Sequence, residues 1–224
     1  MILETQPALD WSVAQTIKAG TSNEPLVPAV ECEYWSIKPM YFRNGWVDAT
    51  PEIWLRQGVV ERLKVAAQAL PKGCRLVLLD GWRPKTLQQF LFDSFLENLR
   101  KDRPDLSEAE VVNETLNFVA PPSEDPQCPS PHITGGAIDL TLADDAGRIF
   151  DMGSDFDETS DRSWTAADVP ATAAGRRRVL VEAMYQAGFT NLPSEWWHFD
   201  YGNWVWAWYT QQSAAIYGPA RLPR

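Results

Sequence analysis

From Pro51 onward, apolar residues recur every three or four positions. Leu55, Val59, Leu63, Ala67 and Leu70 fall on one face, which predicts an amphipathic helix opened by Pro51 and stopped by the "PKG" at 71–73. "RLVLLD", Arg75 to Asp80, is a continuous apolar run and predicts a buried strand that "GWRP" breaks. A second helix carries Leu87, Phe90, Leu91, Phe95 and Leu99 as its stripe. Ser107 and Glu110 form a capping box for a third helix, which ends before Pro121. After the loop "PPSEDPQCPSP", the alternation of "GAIDLTL" predicts a strand, and "DDAG" before "RIFDM" predicts that it turns back as a hairpin.

The rest of the chain is read in the same way. Asp151 to Pro170 is polar and predicts a long ordered loop. Residues from about Ala171 to Gln186 are helical in pattern, with Gly188 as the residue beyond the cap. "EWWHFDY" is aromatic-rich and predicts a strand. "WVWAWY" alternates Trp204, Trp206 and Trp208 onto one side, as a last strand would. The first ~50 residues are irregular apart from a short strand within "AVECEYWSI". No internal repeat or linker divides the chain. The expectation is one α+β domain over 1–224, a small antiparallel sheet flanked by helices, with a helical insertion at about 101–120.

Composition narrows the function classes. The chain has 224 residues, enough to bury a substantial core, and eleven tryptophans. A formal net charge of −10 argues against nucleic acid and anionic membranes as partners, because no basic excess exists to displace counterions. No apolar run approaches the ~20 residues of a membrane span. The start, "MILETQPALDWSV", lacks a basic region followed by an apolar one, so no secretory leader is expected. Three cysteines, Cys32, Cys74 and Cys128, lack metal-like spacing and suit a reducing compartment. The expected location is the cytoplasm.

The candidate chemistry lies in residues that the fold pattern does not explain. Only two histidines exist, His132 and His198. Asp139 lies between Ile138 and Leu140, so alternation turns it away from the face those two share. Gly135 and Gly136 let the backbone turn tightly between His132 and Asp139. A zinc hydrolase needs three nitrogen or oxygen ligands with a fourth position open to water. It also needs a carboxylate to move the water's proton and a cation for the developing oxyanion. His132, Asp139 and His198 are candidate ligands, Glu195 the candidate base and Arg83 the candidate cation. With two histidines, one zinc per chain is expected. If "EWWHFDY" is a strand, Glu195 must sit in the turn after Pro193 and reach back.

The joint pattern carries more than any one motif. "S-x-H-x-x-G-x-A-x-D" runs from Ser130 to Asp139, "E-W-W-H" from Glu195 to His198, "D-G-W-R-P" from Asp80 to Pro84, and "M-G-S-x-F-D" from Met152 to Asp157. In this order, over about Leu76 to Tyr201, the chain resembles the D-alanyl-D-alanine dipeptidases. These VanX-type zinc peptidases are related to the zinc D,D-carboxypeptidases and to the hedgehog signalling domain. The resemblance implies that fold, zinc at His132, Asp139 and His198, and hydrolysis of D-Ala-D-Ala with Glu195 as base and Arg83 steadying the transition state. It also implies substrate contacts by Ser130 and Asp157, with Asp157 meeting the ammonium, and by a tyrosine of the N-terminal region, assigned to Tyr34. A small dipeptide is then the expected partner. Two other readings stay open: a peptidoglycan D,D- or L,D-carboxypeptidase, and a zinc-stabilised binding module without turnover. The segment Lys101 to Pro129 and the aromatic tail from Asn203 fit no pattern of the family.

Overall fold

The computed structural model describes residues 6–223; the first five residues, on which the leader reading partly rests, lie outside the described residues. The centre is a five-stranded sheet of β2 (Trp35–Ile37), β4 (Arg75–Asp80), β5 (Ala137–Ala143), β7 (His198–Asp200) and β6 (Thr190–Asn191), hydrogen-bonded in that order. A separate antiparallel pair joins β1 (Leu26–Pro28) to β3 (Trp54–Arg56). The helices are the short α1 (Met40–Arg43), then α2 (Gln57–Ala69), α3 (Lys85–Asp102), α4 (Glu108–Phe118), α5 (Ala171–Gln186) and α6 (Trp204–Tyr209). The class is α+β, as expected. The sheet is mixed rather than wholly antiparallel, since β2 runs parallel to β4 while β4–β5, β5–β7 and β6–β7 are antiparallel.

One face of the sheet is the core. Leu76, Leu78, Ile138, Leu140, Leu142 and Phe199 are fully buried against Val59 and Leu63 of α2 and Leu180 and Met184 of α5. Full burial of side chains of this size stabilises by roughly 1.5–3 kcal/mol each, which pins the register of the three central strands. Because side chains alternate, that register turns Asp139, His198 and Asp200 to the opposite face.

Several predicted elements form as read. Ser107 and Glu110 complete their capping box at the start of α4. Helix α5 ends before Gly188, which takes φ +86°. Residues 151–170 are a loop apart from a 3₁₀ turn at Asp161–Ser163.

Three expectations require correction. The helix read from Pro51 begins only at Gln57, because Trp54–Arg56 pair with Leu26–Pro28 and Leu55 is buried from a strand. "RIFDM" does not form a second hairpin strand. The Asp144 side chain accepts from the Ala146 and Arg148 amides and tightens the turn, and the returning chain makes only an Ala143–Ile149 bridge, with Phe150 N donating to Leu142 O, before it leaves the sheet. "WVWAWY" is helical, not extended. The Asn203 side chain caps it by accepting from Trp206 N at 3.0 Å, and its indoles diverge, Trp204 donating to Pro129 O and Trp206 to Gly188 O.

Candidate active site

Cross-strand register assembles the site. Asp80, Asp139 and His198 stand opposite one another on β4, β5 and β7, in one row across the sheet. A bulge between Leu78 and Asp80 brings Asp80 into that row, off the face of Leu76 and Leu78. His132 arrives from the 3₁₀ turn Pro131–Thr134, which leads into β5. Gly135 closes that turn at φ +69°, and a Cβ there would lie 2.3 Å from Leu26 Cδ2, so only glycine fits the step from His132 to the strand.

His132, Asp139 and His198 are all buried, and one ligand atom of each lies within 4.8 Å of the others. His132 Nε2 is 3.2 Å from His198 Nδ1, which is 3.0 Å from Asp139 Oδ1. The remaining ring nitrogens are spoken for. His132 Nδ1–H donates to Gly81 O at 2.7 Å, and His198 Nε2–H donates to Asp200 Oδ2 at 3.2 Å. Those partners fix the tautomers, so a lone pair of each ring and a carboxylate oxygen converge on one point. Such convergence is unfavourable without a positive charge between the three, and two imidazoles with one carboxylate are a donor set suited to zinc. The residues therefore fit a divalent metal. Burial alone would raise Asp139, but His132 and His198 outweigh it and hold the carboxyl well below the usual carboxylate range.

Around this centre runs a cleft of about 300 Å³, lined among others by Tyr41, Arg83, Asp157, Glu195 and Trp197. Glu195 sits in the turn after Pro193, where its amide bonds to Leu192 O and its carbonyl accepts from His198 N. Its Oε2 reaches to 3.8 Å from His198 Nδ1. Burial pushes the Glu195 carboxyl up to about 8, with His198 opposing and Asp139 and Asp157 adding. A divalent cation on the ligands works against that shift. Arg83 is clamped from four sides. It donates to Asp80 Oδ2 and Gln88 Oε1 at 2.9 Å and to Tyr41 Oη and Asp139 Oδ2 at 3.4 Å, with its guanidinium over the Tyr41 ring. Burial would lower its pKa, but Tyr41, Asp80 and Asp139 raise it above the usual arginine value, so it stays charged.

Asp157 stands in the cleft at φ +63°, with solvent on one side. Desolvation by the cleft walls raises its carboxyl above the usual range, Arg83 opposing and Asp139 adding. Two assigned substrate contacts are placed elsewhere. The Tyr34 hydroxyl accepts from Gln68 on α2, and it is Tyr41 that lines the cleft beside Arg83. The Ser130 hydroxyl donates to Pro121 O at 2.5 Å and accepts from Ser123 N at 2.8 Å, fastening the loop that leads to His132.

The match of residues 50–215 to the family described as D-Ala-D-Ala dipeptidase spans all of these ligands. The chain belongs to that family, the M15 peptidases. A D-alanyl-D-alanine dipeptidase of Synechocystis sp. is 34% identical, over 87% of this chain and 91% of the relative. One from Escherichia coli is 37% identical, over 57% of this chain and 55% of its own. Among solved structures, a vancomycin-resistance D,D-pentapeptidase VanY in complex with Zn(II) aligns at TM-score 0.44 and 16% identity, covering 92% of this chain and 97% of that one. The chain is thus an M15-type metallopeptidase by family, and its donor set fits the metal such a peptidase uses.

Asp200 and Tyr41 escaped the sequence reading. Asp200 had a signal: two positions after His198 on a strand, it must share that histidine's face. Tyr41 had none, because the short helix Met40–Arg43 carries no periodic pattern of its own. The unplaced segment after Lys101 proves to matter to the cleft, whose lining includes Asp102 of α3, Asn117 and Phe118 of α4, and Val119 and Ala120 beyond it. Among the described residues, no helix is long and apolar enough to cross a membrane.

Proposed function

We propose that this chain is a zinc-dependent D-alanyl-D-alanine dipeptidase with one zinc per chain, acting in the cytoplasm on the free dipeptide. The observation that carries the reading is the convergence of His132 Nε2, His198 Nδ1 and Asp139 at one buried point beside Glu195. His132, Asp139 and His198 would hold the zinc, which when bound supplies Lewis acidity and makes a water acidic enough to ionise near neutrality.

The chain's own residues do the rest. Glu195 Oε2 accepts the proton of the attacking water and returns it to the leaving amine. Arg83 presents a fixed positive charge where the oxyanion develops; its partners have already oriented it, so no reorganisation is needed during reaction. Asp157 pairs with the substrate ammonium and thereby reads a free amino terminus. Among the residues lining the cleft, Arg83 is the one arginine or lysine. The dipeptidases named above accord with this substrate.

One observation favours a second reading. The cleft is lined not only by the residues around the metal ligands but also by Phe95, Asn98 and Phe118 of α3 and α4, a surface that a longer peptide ending in the same dipeptide could use, as a carboxypeptidase substrate does. The zinc-loaded protein should be assayed on D-Ala-D-Ala, N-acetyl-D-Ala-D-Ala and a stem peptide ending in D-Ala-D-Ala. The dipeptidase reading expects the free dipeptide to dominate kcat/KM by orders of magnitude. Comparable values for all three would replace it with the carboxypeptidase and leave the metal chemistry standing.

A further inference from the structure

A buried arginine outside the metal cluster organises two parts of the cleft at once. Arg177, on α5, is fully buried, and among the described residues it pairs with no carboxylate. Its Nε donates to Met152 O at 2.6 Å, Nη1 to Trp164 O at 2.7 Å, and Nη2 to Arg162 O at 2.8 Å and Ser154 Oγ at 3.3 Å. A buried cation is costly unless every donor finds an acceptor. Here the acceptors come from both feet of one loop, Met152 to Ser154 and Arg162 to Trp164. Arg162 closes the same arch from outside by donating to Gly153 O. Gly153 can have no side chain, since it takes φ +90° and a Cβ would lie 2.7 Å from that of Val169. Asp157 stands on the arch between the two feet. The "M-G-S-x-F-D" stretch is thus a loop wound around a guanidinium.

The second part is the turn that carries Glu195. Ser154 Oγ, already bonded to Arg177, accepts from Trp196 Nε1 at 2.9 Å, and the Trp196 ring lies 5.6 Å from the Arg177 guanidinium carbon. Trp196 N donates to Ser163 O and Thr165 N to Pro193 O, both at 2.9 Å. Thr165 Oγ1 donates to Asn191 Oδ1, and Asn191 Nδ2 donates to Glu195 O at 3.0 Å. The bonds from Trp196 and to Pro193 tie the arch and the residue after it directly to the Glu195 turn, and Asn191 relays a further link from Thr165 to Glu195.

We propose that Arg177, acting through Ser154 and Trp196, is a positioning residue that holds Asp157 and Glu195 in a fixed relation across the cleft. Recognition of the amino terminus and placement of the general base then depend on one scaffold. The inference rests on the roles given above to Asp157 and Glu195, and it extends them to residues that touch neither substrate nor metal.

The test uses the zinc-loaded protein and Ser154→Ala, which removes the shared acceptor but leaves the three carbonyl contacts of Arg177. Hydrogen exchange should quicken in both 153–160 and 192–198, with zinc content unchanged. kcat should fall on D-Ala-D-Ala and on the N-acetyl dipeptide alike, because the base has moved, and KM should rise for the free dipeptide alone; together these should cost the free dipeptide roughly 10–100-fold in kcat/KM, the scale of misplacement by about an ångström. In an Asp157→Asn background the KM rise should vanish and the loss in kcat should persist. Trp196→Phe, which deletes the indole donor from the other side, should reproduce the pattern and serves if Ser154→Ala does not fold. Faster exchange confined to one segment, or equal loss of kcat/KM on both substrates, overturns the proposal and leaves Arg177 a fold residue. If Asp157→Asn alone leaves the discrimination intact, the ammonium role falls, and hydrogen exchange still decides the coupling.

Discussion

His198 and Asp200 occupy alternate positions of β7, and their side chains meet on one face, Nε2 lying 3.2 Å from Oδ2. Asp200 is fully buried, and its other oxygen accepts from Asn203 Nδ2. The carboxylate therefore decides which nitrogen of His198 faces the metal centre.

Asp200→Asn should accordingly weaken metal binding without unfolding the protein. Asn203 keeps an acceptor at the Oδ1 position, which turns the new amide's NH₂ toward His198. That favours the tautomer with Nδ1–H aimed at the ligands, where a lone pair is required. Loss of such an outer partner typically costs 10–100-fold in metal affinity. Competition with a chromophoric chelator measures it, and excess zinc should restore turnover. Wild-type zinc affinity in this variant would confine Asp200 to folding.

Glu195→Gln should keep zinc and lose turnover. The amide fills the same space 3.8 Å from His198 Nδ1 but cannot take a proton. General base catalysis is worth ~10²–10⁴-fold, and a group that also returns the proton sits toward the upper end. Metal analysis beside kcat separates the two effects. A variant with wild-type kcat would move the base to another carboxylate of the cleft, such as Asp157, which is neither a ligand nor a partner of Arg83.

Both variants draw on residues that local pattern made legible to different degrees. Asp139 was readable because alternation around Ile138 and Leu140 states its direction, and Gly135 because a tight turn leaves few other residues possible. Glu195 followed from His198, since a strand beginning at the histidine forces the glutamate into the preceding turn. What stayed illegible depends on contacts distant in sequence. The β2–β4 pairing is parallel because of how the chain crosses over, which no local period records. The tryptophans of α6 alternate like a strand, yet the Asn203 cap and separate acceptors for Trp204 and Trp206 decide for a helix. Arg177 stands in a run of three arginines on α5, and only the loop folded around it marks it as buried.

Arg83→Ala should reduce kcat by roughly 10²–10³-fold and change KM much less, as expected for a cation acting where charge develops. It also strips Asp80 and Asp139 of a partner, so Arg83→Lys is the necessary companion. Lysine keeps the charge but cannot hold Asp80, Gln88 and Tyr41 together, and should recover only part of the loss. Steady-state kinetics on D-Ala-D-Ala checks both. A change confined to KM would put Arg83 at the substrate carboxylate instead.

The pH dependence of stability should differ between the chelated and the zinc-loaded protein. In the chelated protein, burial raises Glu195 from 4.5 to about 8. Between those values the folded chain holds a proton that the unfolded chain has released. The stabilisation is full below 4.5 and is lost as pH rises through 8, by up to about 1.4 kcal/mol per pH unit for one proton. His198, raised above 6.5 by Asp200 and Asp139 despite its burial, adds the same sign from 6.5 upward. Asp139 is depressed, so its contribution fails only as pH falls below the ordinary carboxylate range, outside this window. The Tm of the chelated protein should therefore drop from pH 5.5 to pH 8, and Glu195→Gln should flatten the drop. Zinc needs the ligands free of competing protons, so the gain in Tm on adding zinc should widen over the same interval. A chelated Tm that rises with pH, or a zinc-induced gain that does not grow, would show that the buried carboxyl and the ligand cluster do not carry the protons assigned to them.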